Sequence, residues 1–152
     1  MQEIKFWKDK TKKLVNPDLF SETAEKIAKA VSNEASEKLN KSTQLRRFFD
    51  DVLTFESRLK ELPEEKQREE FDRSLPYLKM LNAKVAYARA RDLISPEFKD
   101  FIGVSLKQLN DLDDFKVFHT LFEAFMGYYK YFDKERENSA REARNHGTRG
   151  GR

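Results

Sequence analysis

The chain has 152 residues, no cysteine and a formal net charge of +3. That length suits a single domain able to bury its own core, and the lack of cysteine excludes disulfides, thiolate metal sites and cysteine nucleophiles together. No apolar run reaches the ~20 residues a membrane span needs, and Met1 to Lys13 sets Ile4, Phe6 and Trp7 among lysines instead of in a signal-peptide core. A cytoplasmic protein without membrane contact is the expectation. Charge is unevenly spread: residues 1–15 hold five lysines against two acids, 138–152 four arginines against one, and 16–137 hold 21 cations against 24 anions. A net-basic surface over the whole fold is excluded, so a polyanion site has to be a local stripe or a tail.

Taken in chain order, the periodicity is helical almost throughout. Phe6, Trp7 and Leu14 suggest a short first helix, stopped at Asn16-Pro17. Ser21 suits an N-cap for a helix whose stripe of Ala24, Ile27, Ala28, Val31, Ala35 and Leu39 runs to about Asn40. Ser42 or Thr43 caps the next, with Leu45, Phe48, Phe49, Val52, Phe55, Leu59 and Leu62 on one face before Pro63. Glu64 to Ser74 reads as a charged helix with acids in its first turn. Pro76 opens a helix to about Leu93, and Ser95-Pro96 opens another through Phe98, Phe101, Ile102, Leu106 and Leu109. Asp111 caps the last and longest helix, to about Glu137. No segment alternates as a strand. The expected fold is all-α: a bundle of about five to six helices over 1–137, with a disordered, flexible Arg/Gly tail over 138–152.

Catalytic chemistry finds little to work with. The two histidines, His119 and His146, form no metal motif, and three of the five glycines lie in the tail, so no phosphate-cradling loop exists. Asp111, Asp113 and Asp114 read as an acidic helix N-terminus, and Glu64, Glu65, Glu69 and Glu70 as a solvated face. His119 and Glu123 are spaced to pair along one helix. No nucleophile, base and oxyanion set assembles; no catalytic residue, metal or cofactor is expected.

Binding chemistry is better represented. On the helix from Pro76, Tyr77, Met80, Lys84, Tyr87 and Arg91 fall within an arc of about 80°. Cations suit phosphates and flat rings suit unstacked bases, so such a face fits single-stranded nucleic acid. The competing reading buries Tyr77, Met80 and Tyr87 in the core with the cations reaching outward. On the helix's other sides Ala83, Ala86 and Ala90 admit close approach by neighbouring helices, so this helix is expected to be central. Arg47, Thr54 and Arg58 share the polar side of the helix from Ser42, diluted by Asp50 and Asp51, and read as a solvated face. The last helix carries two apolar stripes, one through Phe115, Phe118, Phe122, Phe125, Met126, Tyr129 and Phe132, the other through Val117, Leu121, Ala124, Tyr128 and Tyr131. Such a helix is enclosed either within its own bundle or by another copy or subunit.

Three ordered segments carry a family likeness: 42–49 (STQLRRFF), 75–88 (LPYLKMLNAKVAYA) and 122–130 (FEAFMGYYK). Together they resemble the small subunit of the type III-A CRISPR effector complex, the Csm complex, over about Asn16 to Phe132. The resemblance implies a non-catalytic helical bundle, stacked in several copies beside the backbone filament that holds the CRISPR RNA. It implies self-association, a bridge to the large subunit, and backbone contacts along the target RNA. The matching polar positions are Gln44, Arg46, Arg47, Lys79, Lys84, Tyr87, Arg89, Arg91 and Lys130. The lysine-rich start and the arginine-glycine end fall outside the shared pattern and read as extra RNA contacts or as extensions. Set against this is a helical protein–protein adaptor that self-associates through its last helix without touching RNA. A ribonuclease dependent on His119 is the third alternative.

Overall fold

A computed structural model describes residues 3–149 of the chain. The first segment is a hairpin, not a helix: Trp7–Asp9 (β1) pairs antiparallel with Leu14–Val15 (β2), with an irregularity between Trp7 and Asp9. The reason lies in an alternation too short to weigh in the sequence, since Ile4 and Phe6 are buried while Lys5 points to solvent. Gln108 holds this strand from the far side, accepting from the Phe6 N–H at 3.2 Å and donating to the Ile4 carbonyl at 2.8 Å. A π-helical turn, Leu19–Thr23, then leads directly into α1 (Ala24–Asn33). Ser21 lies inside that turn and caps nothing, and α1 stops well short of Asn40.

Helix α2 spans Ser42–Lys60, with Lys41 at its N-cap and no side-chain cap; Ser42 and Thr43 are already inside the first turn. Pro76 begins no helix of its own. It lies within α3 (Glu64–Lys79), and the path turns at Met80, whose N–H bonds Tyr77 three residues back at 3.2 Å. Helix α4 (Leu81–Ala90) follows at once. Two expected caps are in place. Ser95 accepts from the Phe98 N–H at 3.4 Å ahead of α5 (Pro96–Lys107), and Asp111 accepts from the Asp114 N–H at 2.9 Å ahead of α6 (Leu112–Arg149).

Helix α6 is the axis of the bundle. Phe118, Leu121, Phe122, Phe125 and Tyr129 are fully buried, surrounded by α1, α2, α3, the π-turn and rings of α5. Phe101 stacks on Phe125 at 4.8 Å, Phe125 on Tyr129 at 5.7 Å, and Phe49 leans on Phe122 at 5.2 Å. The first aromatic stripe is therefore enclosed by the chain itself. Helix α6 runs past its expected end near Glu137, to Arg149. What does change there is packing, because residues 137–147 are all exposed. Residues 150–152 lie outside the described residues.

Asn40 ties four pieces together. It is buried with φ 59, and its backbone N–H bonds the Leu93 carbonyl at 3.0 Å. Its amide donates to the Val31 carbonyl at 3.0 Å and to Ser95 Oγ at 2.9 Å, and accepts from the Ser95 N–H at 2.8 Å. The Tyr129 hydroxyl donates to the Asn40 carbonyl. Burial pushes that hydroxyl up to about 12, against the opposing pull of nearby Arg136. Asparagine suits this position because it tolerates the left-handed region and brings both a donor and an acceptor. Asn40→Ala should lower stability by about 3 kcal/mol, from unmade buried bonds plus backbone strain. Asn40→Gly, free of the strain, should cost less; urea midpoints at unchanged m-value check both.

Candidate nucleic-acid interface

Helix α2 divides the candidate residues between two faces. Gln44, Arg47, Asp51, Thr54 and Arg58 recur along one flank of its buried stripe, and Arg46, Asp50 and Leu53 along the other. The first flank lies beside the α3–α4 bend, where Lys84 Nζ reaches Asp51 at 3.2 Å and a cleft is lined by Asp51, Thr54, Arg58, Tyr77 and Lys84. The second flank faces α6 across an open groove of about 680 Å³, lined by Ser42, Thr43, Arg46, Met126, Gly127 and Lys130 among others. The nine predicted positions thus form no single site.

The stripe on the α3–α4 bend faces solvent. Tyr77 is 73% exposed, Met80 56% and Tyr87 66%, with Lys84 and Arg91 exposed between them. The alternative that buried these rings is overturned. The helix is peripheral, not central: Leu81, Val85 and Ala88 pack inward on α5, while Ala83, Ala86 and Ala90 are exposed. Arg91 lies over the Tyr87 ring at 5.5 Å. Lys79 and Arg89, both half-buried, sit on other sides of the helix, and Arg89 pairs with Asp92 at 3.2 Å.

Local acids hold part of this positive charge. Arg46 bonds Asp50 at 3.1 Å while lying 5.5 Å over the Phe49 ring, and Lys84 and Arg89 are paired as above. Among the described residues no carboxylate lies within ion-pair distance of Arg47, Arg58, Lys79, Arg91 or Lys130. Exposed pairs of this type contribute about 0–1 kcal/mol, so a phosphate can displace the aspartate readily. Arg58, expected on a solvated face with Arg47 and Thr54, is exposed and lines the cleft beside Tyr77 and Lys84.

The acids that open α6 clasp the hairpin. Asp114, almost wholly buried, accepts from Trp7 Nε1 at 2.7 Å, from Lys10 Nζ at 3.0 Å and from the Asn110 N–H at 2.9 Å. Asp111 takes Lys10 at 2.9 Å, and Asp113 takes Arg68 at 3.0 Å. Burial works to raise the Asp111 carboxyl, but the Asp114 N–H and the Lys10 ammonium outweigh it and hold it below the ordinary value. The same contact with Asp111 raises Lys10. His119 does not pair with Glu123: its Nε2 meets Glu56 of α2, which also takes Lys60 at 2.5 Å. Among the described residues there is no cluster of three or more histidine, aspartate or glutamate side chains able to hold a metal, and no helix long and apolar enough to cross a membrane.

The chain is thus a small, mostly helical bundle with rings and cations on its open faces. The family model for Csm2 Type III-A matches residues 15–135. The chain therefore belongs to that family, the small subunit of the type III-A CRISPR effector complex. The match leaves out β1 and the last turns of α6, close to the limits read from the sequence. No curated protein and no solved structure matches the chain.

Two outcomes follow from this geometry. Asp51→Asn should leave stability within about 0.5 kcal/mol, because the pair it breaks is exposed; thermal unfolding checks it. The clasp should open in acid. A carboxyl lowered in the folded state stabilises above its unfolded value near pH 4 and loses that contribution as pH falls through the lower folded value. Lys10, being raised, contributes below about pH 10.4 and loses it at higher pH. The acid loss of the Asp111–Lys10 contact should appear as a lower urea midpoint below about pH 4. Trp7, the only tryptophan, bonds Asp114, so Asp114→Ala should shift its emission toward that of water-exposed indole at neutral pH.

Proposed function

We propose that the chain is a non-catalytic small subunit that stacks in several copies along the path of CRISPR RNA and target RNA, holding RNA backbone through its basic helix faces. The single observation that carries this is the solvent-facing stripe of the α3–α4 bend, where Lys84, Tyr87 and Arg91 stand clear of the core in a chain of this family. Arg46, Arg47 and Gln44 of α2, Lys79 and Arg89 beside the bend, and Lys130 of α6 are the further proposed contacts. A subunit serving any guided target gains nothing by reading bases, because pairing already supplies sequence. The non-catalytic role is supported by membership of this family of small subunits.

A second reading has its own observation. Tyr131 is 58% exposed and borders an open groove of about 630 Å³ with Phe20, Ala124, Gly127 and Tyr128. This remnant of the second apolar stripe suits contact with another subunit or copy, with or without RNA.

Native mass spectrometry of a particle co-expressed with the other type III-A subunits and a CRISPR RNA tests the assembly role. Several copies per particle are expected, and a particle lacking the chain would overturn the proposal. For the RNA role, Lys84→Glu with Arg91→Glu should weaken target RNA binding by the particle at least tenfold and flatten its salt dependence by about 0.7 per lost single-strand phosphate contact. Unchanged affinity would leave the adaptor reading.

A further inference from the structure

Backbone contacts alone do not explain why two tyrosines lie in the open on this face. Tyr77 and Tyr87 stand about 15 Å apart along the α3–α4 path, given the helical rise of 1.5 Å per residue. Tyr87 is already backed by the Arg91 guanidinium. Tyr77 stands between two adjoining clefts of about 480 and 260 Å³, and Phe55 and Arg58 of α2 line both. Phe55 packs inward in edge contact with Phe71 and Phe115, so the cleft has a rigid apolar floor. Arg58, Thr54 and Asp51 form its polar wall, Lys84 closes one end against Asp51, and Glu70 lines the adjoining cleft.

We propose that Tyr77 and Tyr87 are stacking platforms for unpaired nucleotides, and that the cleft between α2 and the α3–α4 bend receives one unstacked base beside Tyr77. The adjoining phosphates lie on Arg58, Lys84 and Arg91. This rests on the RNA reading above and deepens it, because it adds the bases to a face otherwise assigned to phosphates.

Charge and chemistry select nucleic acid over a protein partner here. The exposed apolar surface is almost entirely ring and thioether, interleaved with cations. Arg58 and Arg91 have no carboxylate within ion-pair distance among the described residues. Tyrosine, methionine and arginine also suit the centre of a protein interface, but lysine does not, and Lys84 stands between the rings. Rings alternating with cations are what a single strand requires. Stacking tolerates any base, since every base has a flat face, so the site adds affinity for unpaired strand without adding sequence preference. A fully paired segment, its bases already stacked, gains nothing from it.

The test compares two labelled strands of equal length by fluorescence anisotropy with the full chain: an oligoadenylate, and a ribose-phosphate strand lacking bases. The base-bearing strand should bind about tenfold more tightly. Tyr77→Ala combined with Tyr87→Ala should bring the two strands level by lowering the affinity of the base-bearing strand. Tyr→Phe at both positions should keep the difference, and Arg58→Gln should weaken both strands alike. Both tyrosines are exposed, so these variants leave the core intact, and circular dichroism verifies it. Equal binding of the two strands by the unaltered chain would overturn the stacking site and spare the phosphate reading. Binding of neither strand would overturn both. Unchanged RNA binding by the Ala variant, with loss of its incorporation into the particle, would assign the rings to a protein contact and overturn the proposal.

Discussion

Everything in this bundle follows from a last helix that cannot face water on most of its sides. From Phe115 to Tyr129, α6 presents an aromatic column, and rings of that size must be covered on each exposed aspect. Helix α1 and the π-turn cover one side, α2 and α3 another, and the rings of α5 close the remainder. Once those places are taken, α4 leans chiefly on α5. Its outward side becomes surface, and the tyrosines there are exposed for want of any partner to cover them. The same enclosure fixes α2 with its apolar stripe inward, which leaves its two polar flanks facing different neighbours.

The enclosure also needs its ends tied. At one end Asp111 and Asp114 serve the start of α6, and in doing so hold the hairpin through Trp7 and Lys10. Near the other end Asn40 joins the segment after α1 to the start of α5 and to Tyr129, and Arg136 bridges Ser32 and Asp133. Beyond that bridge residues 137–147 of α6 are exposed. The family match stops at Glu135, where packing also stops. The shared part of the chain is thus the part that wraps the aromatic column.

The surface combines rings with cations whose local carboxylate partners are weakly held. Asp50, Asp51 and Asp92 pair with Arg46, Lys84 and Arg89 respectively. A phosphate competes well against an exposed aspartate pair and poorly against a buried one. Lys10 belongs to the second class, since its partner Asp114 is buried. The N-terminal lysine segment is accordingly anchored in part by its own charge, which its composition alone does not reveal.

The sequence by itself determined the helical class, the inward stripes of α2, α5 and α6, the caps at Ser95 and Asp111, and the family. These rest on local periodicity, on hydrogen bonds between residues three apart, and on ordered short segments, all of which survive without knowledge of neighbours. It misread the hairpin because Ile4 and Phe6 give only two alternations, and the partner that fixes them, Gln108, is a hundred residues away. It placed a helix start at Pro76 because proline is a local stop signal, whereas packing of Leu78 and Leu81 carried the chain through with only a bend. It gave His119 a partner four residues on, where the true neighbour, Glu56, comes from another helix. Above all, it left Tyr77, Met80 and Tyr87 equally suited to core or surface. Only the tertiary structure decided that, because burial depends on whether another element arrives to cover a face, and here none does.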